Sequence, residues 1–136
     1  MTRAMVDDLM VQQQIKAPYK KWKHMVGVMC LNLTYRKHVK IVLPKLFAKY
    51  PNPKAYLRGR LKTQQQILKP LGMWQVRSKR IRKMTEDYLR WDGRDASELH
   101  GIGKYGSDSY QIFFNNFVPP NVQDKELKKY IDNMAR

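Results

Sequence analysis

Cysteine is almost missing from this chain. A single thiol, Cys30, in 136 residues excludes an internal disulfide and a four-cysteine iron–sulfur cluster. The three histidines, His24, His38 and His100, are scattered without metal-ligand spacing, so no metal centre is expected. Acidic side chains are few: 11 stand against 27 Lys and Arg, giving a formal charge of +16 and a pI of about 10.1. Such an excess repels itself in a folded chain and calls for a polyanionic partner, nucleic acid first and an anionic membrane surface second. No apolar run approaches the roughly 18 residues that span a bilayer, which argues against a membrane. Met1–Asp8 holds two acids and no apolar core, so no secretion signal is expected. The expected location is intracellular, the nucleus in a eukaryote and the cytoplasm or nucleoid otherwise.

Sustained strand alternation, internal repeats and low-complexity linkers are lacking too. What remains is helical period. With 43% hydrophobic residues the chain can bury one core over its whole length, 1–136, as a single all-α domain. A short first helix is expected from Val6 to about Gln14. A second opens at Pro18 and runs to about Leu31, with Trp22, Met25, Val26 and Met29 on one stripe. Val39, Val42, Leu43, Leu46, Phe47 and Tyr50 share a face of a third helix, with Pro44 inside it and Pro51-Asn52-Pro53 ending it. Further helices are expected over Thr63–Leu68, from Trp74 to Leu89, and over Ala96–Leu99. Cys30, among Val26, Val28, Met29 and Leu31, reads as a small buried apolar residue.

The most informative stretch runs from Leu99 to Tyr110, Leu-His-Gly-Ile-Gly-Lys-Tyr-Gly-Ser-Asp-Ser-Tyr. Its closely spaced glycines interrupt a helix cheaply nowhere, yet helix-forming residues flank them. The expected structure is helix, tight hairpin, helix, with Ser107 or Asp108 capping a second helix Ser107–Asn115. Amides left free at that helix start, beside Lys104, suit a phosphate. A plain helical corner is the alternative reading. Asp124 follows Tyr105 by nineteen residues and opens a last helix, where a cap is again the simpler role.

A Leu-x-Gly-Ile-Gly hairpin followed by such an aspartate resembles the helix-hairpin-helix DNA glycosylases of the endonuclease III superfamily. The wording Leu-His-Gly-Ile-Gly-Lys-Tyr-Gly-x-Asp-Ser-Tyr is similar to the thymine/uracil mismatch glycosylase domain found with methyl-CpG-binding domains. Leu31-Asn32 with Thr34, Lys49-Tyr50-Pro51, and Leu68-Lys69-Pro70-Leu71-Gly72 with Arg77 and Lys79 keep the family's order, so the likeness covers about Gln12–Asp132.

The resemblance implies six to eight helices flanking a DNA-binding groove, a hairpin motif at about 96–115, no iron–sulfur cluster and no cofactor. The partner it implies is double-stranded DNA with a mismatched or damaged pyrimidine, bound by a monomer. Asp124 would stabilise an oxocarbenium-like sugar and orient water. Tyr105 stands where strand-cutting relatives place a Schiff-base lysine, so the implied enzyme is monofunctional. Gln14, Tyr105 and Lys104 would form the base pocket. Leu33, where the relatives carry arginine, and Met73 would act as the wedge. Gly101, Gly103, Lys104, Gly106, Ser107, Arg77 and Lys79 would meet phosphates, with Lys16, Lys20, Lys21, Lys23, Arg80 and Arg82 as further candidates. The residues leave open two other readings: a glycosylase for a modified pyrimidine, and a non-catalytic DNA-binding module whose aspartate only caps.

Overall fold

A computed structural model describes residues 19–134. Within them the chain forms seven α-helices and two short 3-10 turns, and no strand. The helices are α1 (Lys20–Leu31), α2 (Arg36–Lys49), α3 (Pro53–Arg58), α4 (Leu61–Leu68), α5 (Trp74–Arg90), α6 (Lys104–Phe114) and α7 (Lys125–Met134). The 3-10 turns are Lys69–Leu71, before α5, and Ala96–Glu98, before α6. The expected first helix, Val6–Gln14, and its pocket residue Gln14 lie outside the described residues.

Helix α1 is the central rod. Every residue from His24 to Leu31 is buried, because α2, α5 and α6 pack against it on different sides. Trp22 is fully buried and its indole N–H donates to Thr85 Oγ1 on α5 at 3.0 Å. The stripe read from Val39 to Tyr50 also lies in the core, and Cys30 is fully enclosed there. Burial pushes the Cys30 thiol up to about 12, against the opposing influence of Arg77.

One expectation is extended and two are corrected. Pro51-Asn52-Pro53 does more than end a helix: the Asn52 side chain accepts from the Ala55 N–H at 2.8 Å and Pro53 opens α3. Ala96–Leu99 is only a single 3-10 turn, fixed by Asp95, which accepts from the Ser97 N–H at 3.0 Å. The second hairpin helix begins at Lys104, three residues earlier than expected, with Gly103 at its cap position. Ser107 and Asp108 therefore cap nothing; the Ser107 N–H is already bonded to the Gly103 carbonyl, and Asp108 is buried within the helix.

Candidate active site

The hairpin is held from below by its apolar residues. Leu99 and Ile102 are buried, while the glycines between and after them come to the surface or pack closely. Gly101 takes φ +80°, a conformation that favours glycine, and a Cβ there would also displace the tip of Met29, 2.9 Å away. Asp87 on α5 accepts the His100 N–H at 2.9 Å, and Tyr110 donates its hydroxyl to the Gly93 carbonyl at 2.7 Å. The corner is thus braced by α5 and by the loop before it. Lys104, Tyr105 and Gly106, the first three helical residues of α6, come before the first intrahelical bond, the usual arrangement of an anion site.

An open cleft of about 660 Å³ lies beside this corner. Its lining brings together Gly101, Gly103, Lys104, Tyr105, Gly106 and Asp124, together with Leu33, Met73, Arg77 and Arg80. Residues ninety-one positions apart in the chain, Leu33 and Asp124, therefore face one space.

Asp124 satisfies both of its sequence readings at once. Its Oδ2 accepts from the Leu127 N–H at 2.8 Å, which caps α7, and its side chain lines the cleft. The cap fixes the carboxylate's rotamer and sets it at the positive end of a helix dipole.

Tyr105 enters the cleft from the first turn of α6. Burial pushes its phenol far above the ordinary tyrosine range, and the Asp124 charge pushes it the same way. Among the described residues its hydroxyl oxygen is buried with no partner at hydrogen-bonding geometry. Ser109, close enough to act weakly in the other direction, has its own hydroxyl engaged with His24 Nε2 at 2.8 Å. Lys104 reaches the cleft but its Nζ lies 3.0 Å from Asp108 Oδ2, an ion pair that ties it back along α6.

Leu33 and Met73 stand on the lips of the cleft. Leu33 is 81% exposed and Met73 52% exposed, and both hold the left-handed conformation, at φ 55° and 46°. That backbone costs a side-chain-bearing residue about 1–2 kcal/mol. Strain of this kind clusters at functional sites, and here it falls on two exposed apolar side chains that line the cleft.

Arg77 corrects its phosphate assignment. It is buried, 7% exposed, and spends its donors inside the protein: on the Gly72, Met29 and Asn32 carbonyls at 2.9, 3.0 and 2.7 Å, and on Thr34 Oγ1 at 2.6 Å. Arg82 is likewise committed, to the Leu57 and Gly59 carbonyls and to Gln64 Oε1, so it is no phosphate contact either. Lys79 and Arg80 remain exposed, and Arg80 lines the cleft. The Arg77 role was missed although a signal existed: it shares the α5 face of Ile81 and Met84, at core spacing.

Against known proteins, 114 residues, 82% of this chain, are 32% identical to a methyl-CpG-binding domain protein 4-like protein from Arabidopsis thaliana. The chain spans only a quarter of that protein's length. In three dimensions it matches a thermostable thymine-DNA glycosylase with a TM-score of 0.62 at 16% identity, over 84% of this chain and 59% of that one. Endonuclease III in a non-covalent DNA complex matches equally, with a TM-score of 0.62 at 16% identity over 83% of this chain and 58% of the other. A trapped covalent endonuclease III–DNA intermediate gives 0.63, again at 16% identity, over 83% of this chain and 59% of its own. No family model matches. The chain has the helix-hairpin-helix glycosylase fold. In this helix-hairpin-helix domain the glycine corner, the capped aspartate and the apolar lips converge on one cleft.

Proposed function

We propose that this domain is a monofunctional DNA glycosylase acting as a monomer on double-stranded DNA, releasing thymine or uracil mispaired with guanine and leaving an abasic site. The observation that carries this reading is the meeting of Asp124 and Tyr105 in one open cleft beside the glycine corner. Its likeness to a methyl-CpG-binding domain protein 4-like protein in sequence, and to a thymine-DNA glycosylase in fold, supports the substrate class.

In this reading the first amides of α6 hold a phosphate of the damaged strand, and the base turns out of the stack into the cleft at a cost of a few kcal/mol. Leu33 and Met73 fill the space left behind. The C1′–N1 bond breaks with its electron pair leaving on the base. The Asp124 carboxylate stabilises the positive sugar and orients the water whose oxygen bonds to C1′. That water's proton passes first to the carboxylate and then, through solvent, to the departing base anion, so the base ends neutral and the carboxylate is regenerated. Tyr105, kept neutral by burial, offers no amine, so no Schiff base forms and the strand stays whole.

The test is incubation with duplexes holding G·T, G·U and modified pyrimidines, with and without alkali. Strand breaks that need alkali are expected with G·T and G·U. Breaks without alkali would refute the monofunctional mode, and none on any duplex would leave a binding module. A second reading, release of a modified pyrimidine, draws on Leu33 standing where the family has arginine; release from only those duplexes would favour it.

A further inference from the structure

We infer that Arg77 is a positioning residue that couples the two lips of the cleft, so that Leu33 and Met73 enter the duplex as a single wedge. The inference rests on the glycosylase reading for its chemical readout, and on the structure for its geometry.

The guanidinium sits between two loops. From one it takes the Asn32 carbonyl and Thr34 Oγ1, the residues on either side of Leu33. From the other it takes the Gly72 carbonyl, directly before Met73. Its fourth bond, to the Met29 carbonyl, anchors it to the end of α1, under the glycine corner where Met29 packs against Gly101. Thr34 strengthens the link, since its hydroxyl also approaches the Leu71 carbonyl at 3.4 Å.

Among the described residues no acidic side chain pairs with this buried cation. Burial accordingly pulls its pKa down. An arginine is a costly way to close two loops unless the closure itself is needed. Both residues flanked by its bonds hold left-handed backbone that leucine and methionine avoid, and both point large apolar groups at solvent. A planar fork with five fixed donors can hold two loops at once; a lysine ammonium cannot reproduce that geometry. Wedge residues on two independent loops would each lose entropy on insertion, whereas coupled loops enter already ordered.

The experiment compares Arg77→Lys and Arg77→Met with the unaltered protein, after circular dichroism and thermal melts establish folding. Single-turnover uracil release is measured from a G·U duplex and from the same strand unpaired, where no wedge is needed. A loss of about tenfold to a hundredfold on the paired duplex, with the unpaired strand within about twofold, is expected. Equal loss on both substrates, or no loss on either, overturns the inference. Fluorescence of 2-aminopurine beside the mismatch reports unstacking without chemistry. A rise on binding that Arg77→Lys abolishes supports the coupling even if no base is ever released, in which case only the glycosylase reading falls. Should Arg77→Met fail to fold, Arg77→Lys and Thr34→Ala, which removes the side-chain acceptor of the same link, decide the question by the same two readouts.

Discussion

Asp124 caps the last helix by accepting the Leu127 N–H at 2.8 Å, and the same side chain faces the cleft. One carboxylate thus holds a structural and a chemical position, and the two can be separated. Asparagine caps as well as aspartate but carries no charge. Asp124→Asn is expected to leave the melting temperature nearly unchanged while base release falls by about 10²–10³-fold. Asp124→Ala should add a stability loss of about 0.5–2 kcal/mol. Single-turnover base release alongside thermal melts checks both. Loss of folding in Asp124→Asn would assign the residue to structure alone.

The phenols of Tyr56 and Tyr105 are both pushed far up by burial from the ordinary value of 10.0. Each is neutral in the folded state over a range where it would ionise if unfolded. Their contribution to stability is therefore complete below pH 10 and is lost as pH rises above it, toward the folded-state values. Denaturant midpoints measured from pH 8 to pH 12 should stay level and then fall. Tyr105→Phe should make that fall shallower, and at neutral pH it should be near neutral for stability, since the hydroxyl it removes has no hydrogen-bond partner among the described residues.

The three hairpin glycines carry different duties. A Cβ on Gly106 would stand 2.8 Å from Ile102 Cγ2 and 3.1 Å from Val28 Cγ1, so Gly106→Ala should cost about 1–3 kcal/mol by overpacking. Gly101→Ala meets both a positive φ and Met29, and should destabilise as well. Gly103 has open space around it and ordinary backbone, so Gly103→Ala should fold normally. If the corner receives a phosphate, that variant still weakens duplex binding by crowding the approach. Melting and fluorescence anisotropy on the three variants separate the cases.

Cations that look alike in the sequence should behave differently. Lys79→Ala, at an exposed site, is expected to reduce the slope of log affinity against log salt by about 1 with no change in stability. Arg82→Met should do the reverse, destabilising the α3–α4 junction whose carbonyls it holds while leaving the salt slope intact. Binding titrations across a salt series, paired with chemical melts, check this.

By itself the amino-acid sequence determined the helical class, the core stripes of α1 and α2, the buried thiol and the glycine corner. Those rest on local period and on backbone preferences that act over a few residues. It also marked Asp124 and Tyr105, through spacing and a family likeness. It set Arg77 apart from Lys79 by core spacing with Ile81 and Met84, but charge alone did not say which cation lies over open carbonyls, as Arg77 and Arg82 do. It also placed the start of α6 too late: Ser107 and Asp108 are good caps, but the hairpin packing on Leu99 and Ile102 lets the helix begin at Lys104. Only the tertiary structure decided that Leu33, Met73 and Asp124 share one cleft, and that a single guanidinium links its lips. Those relations join residues from Met29 to Asp124 through the packing of four helices, and no window along the chain contains them.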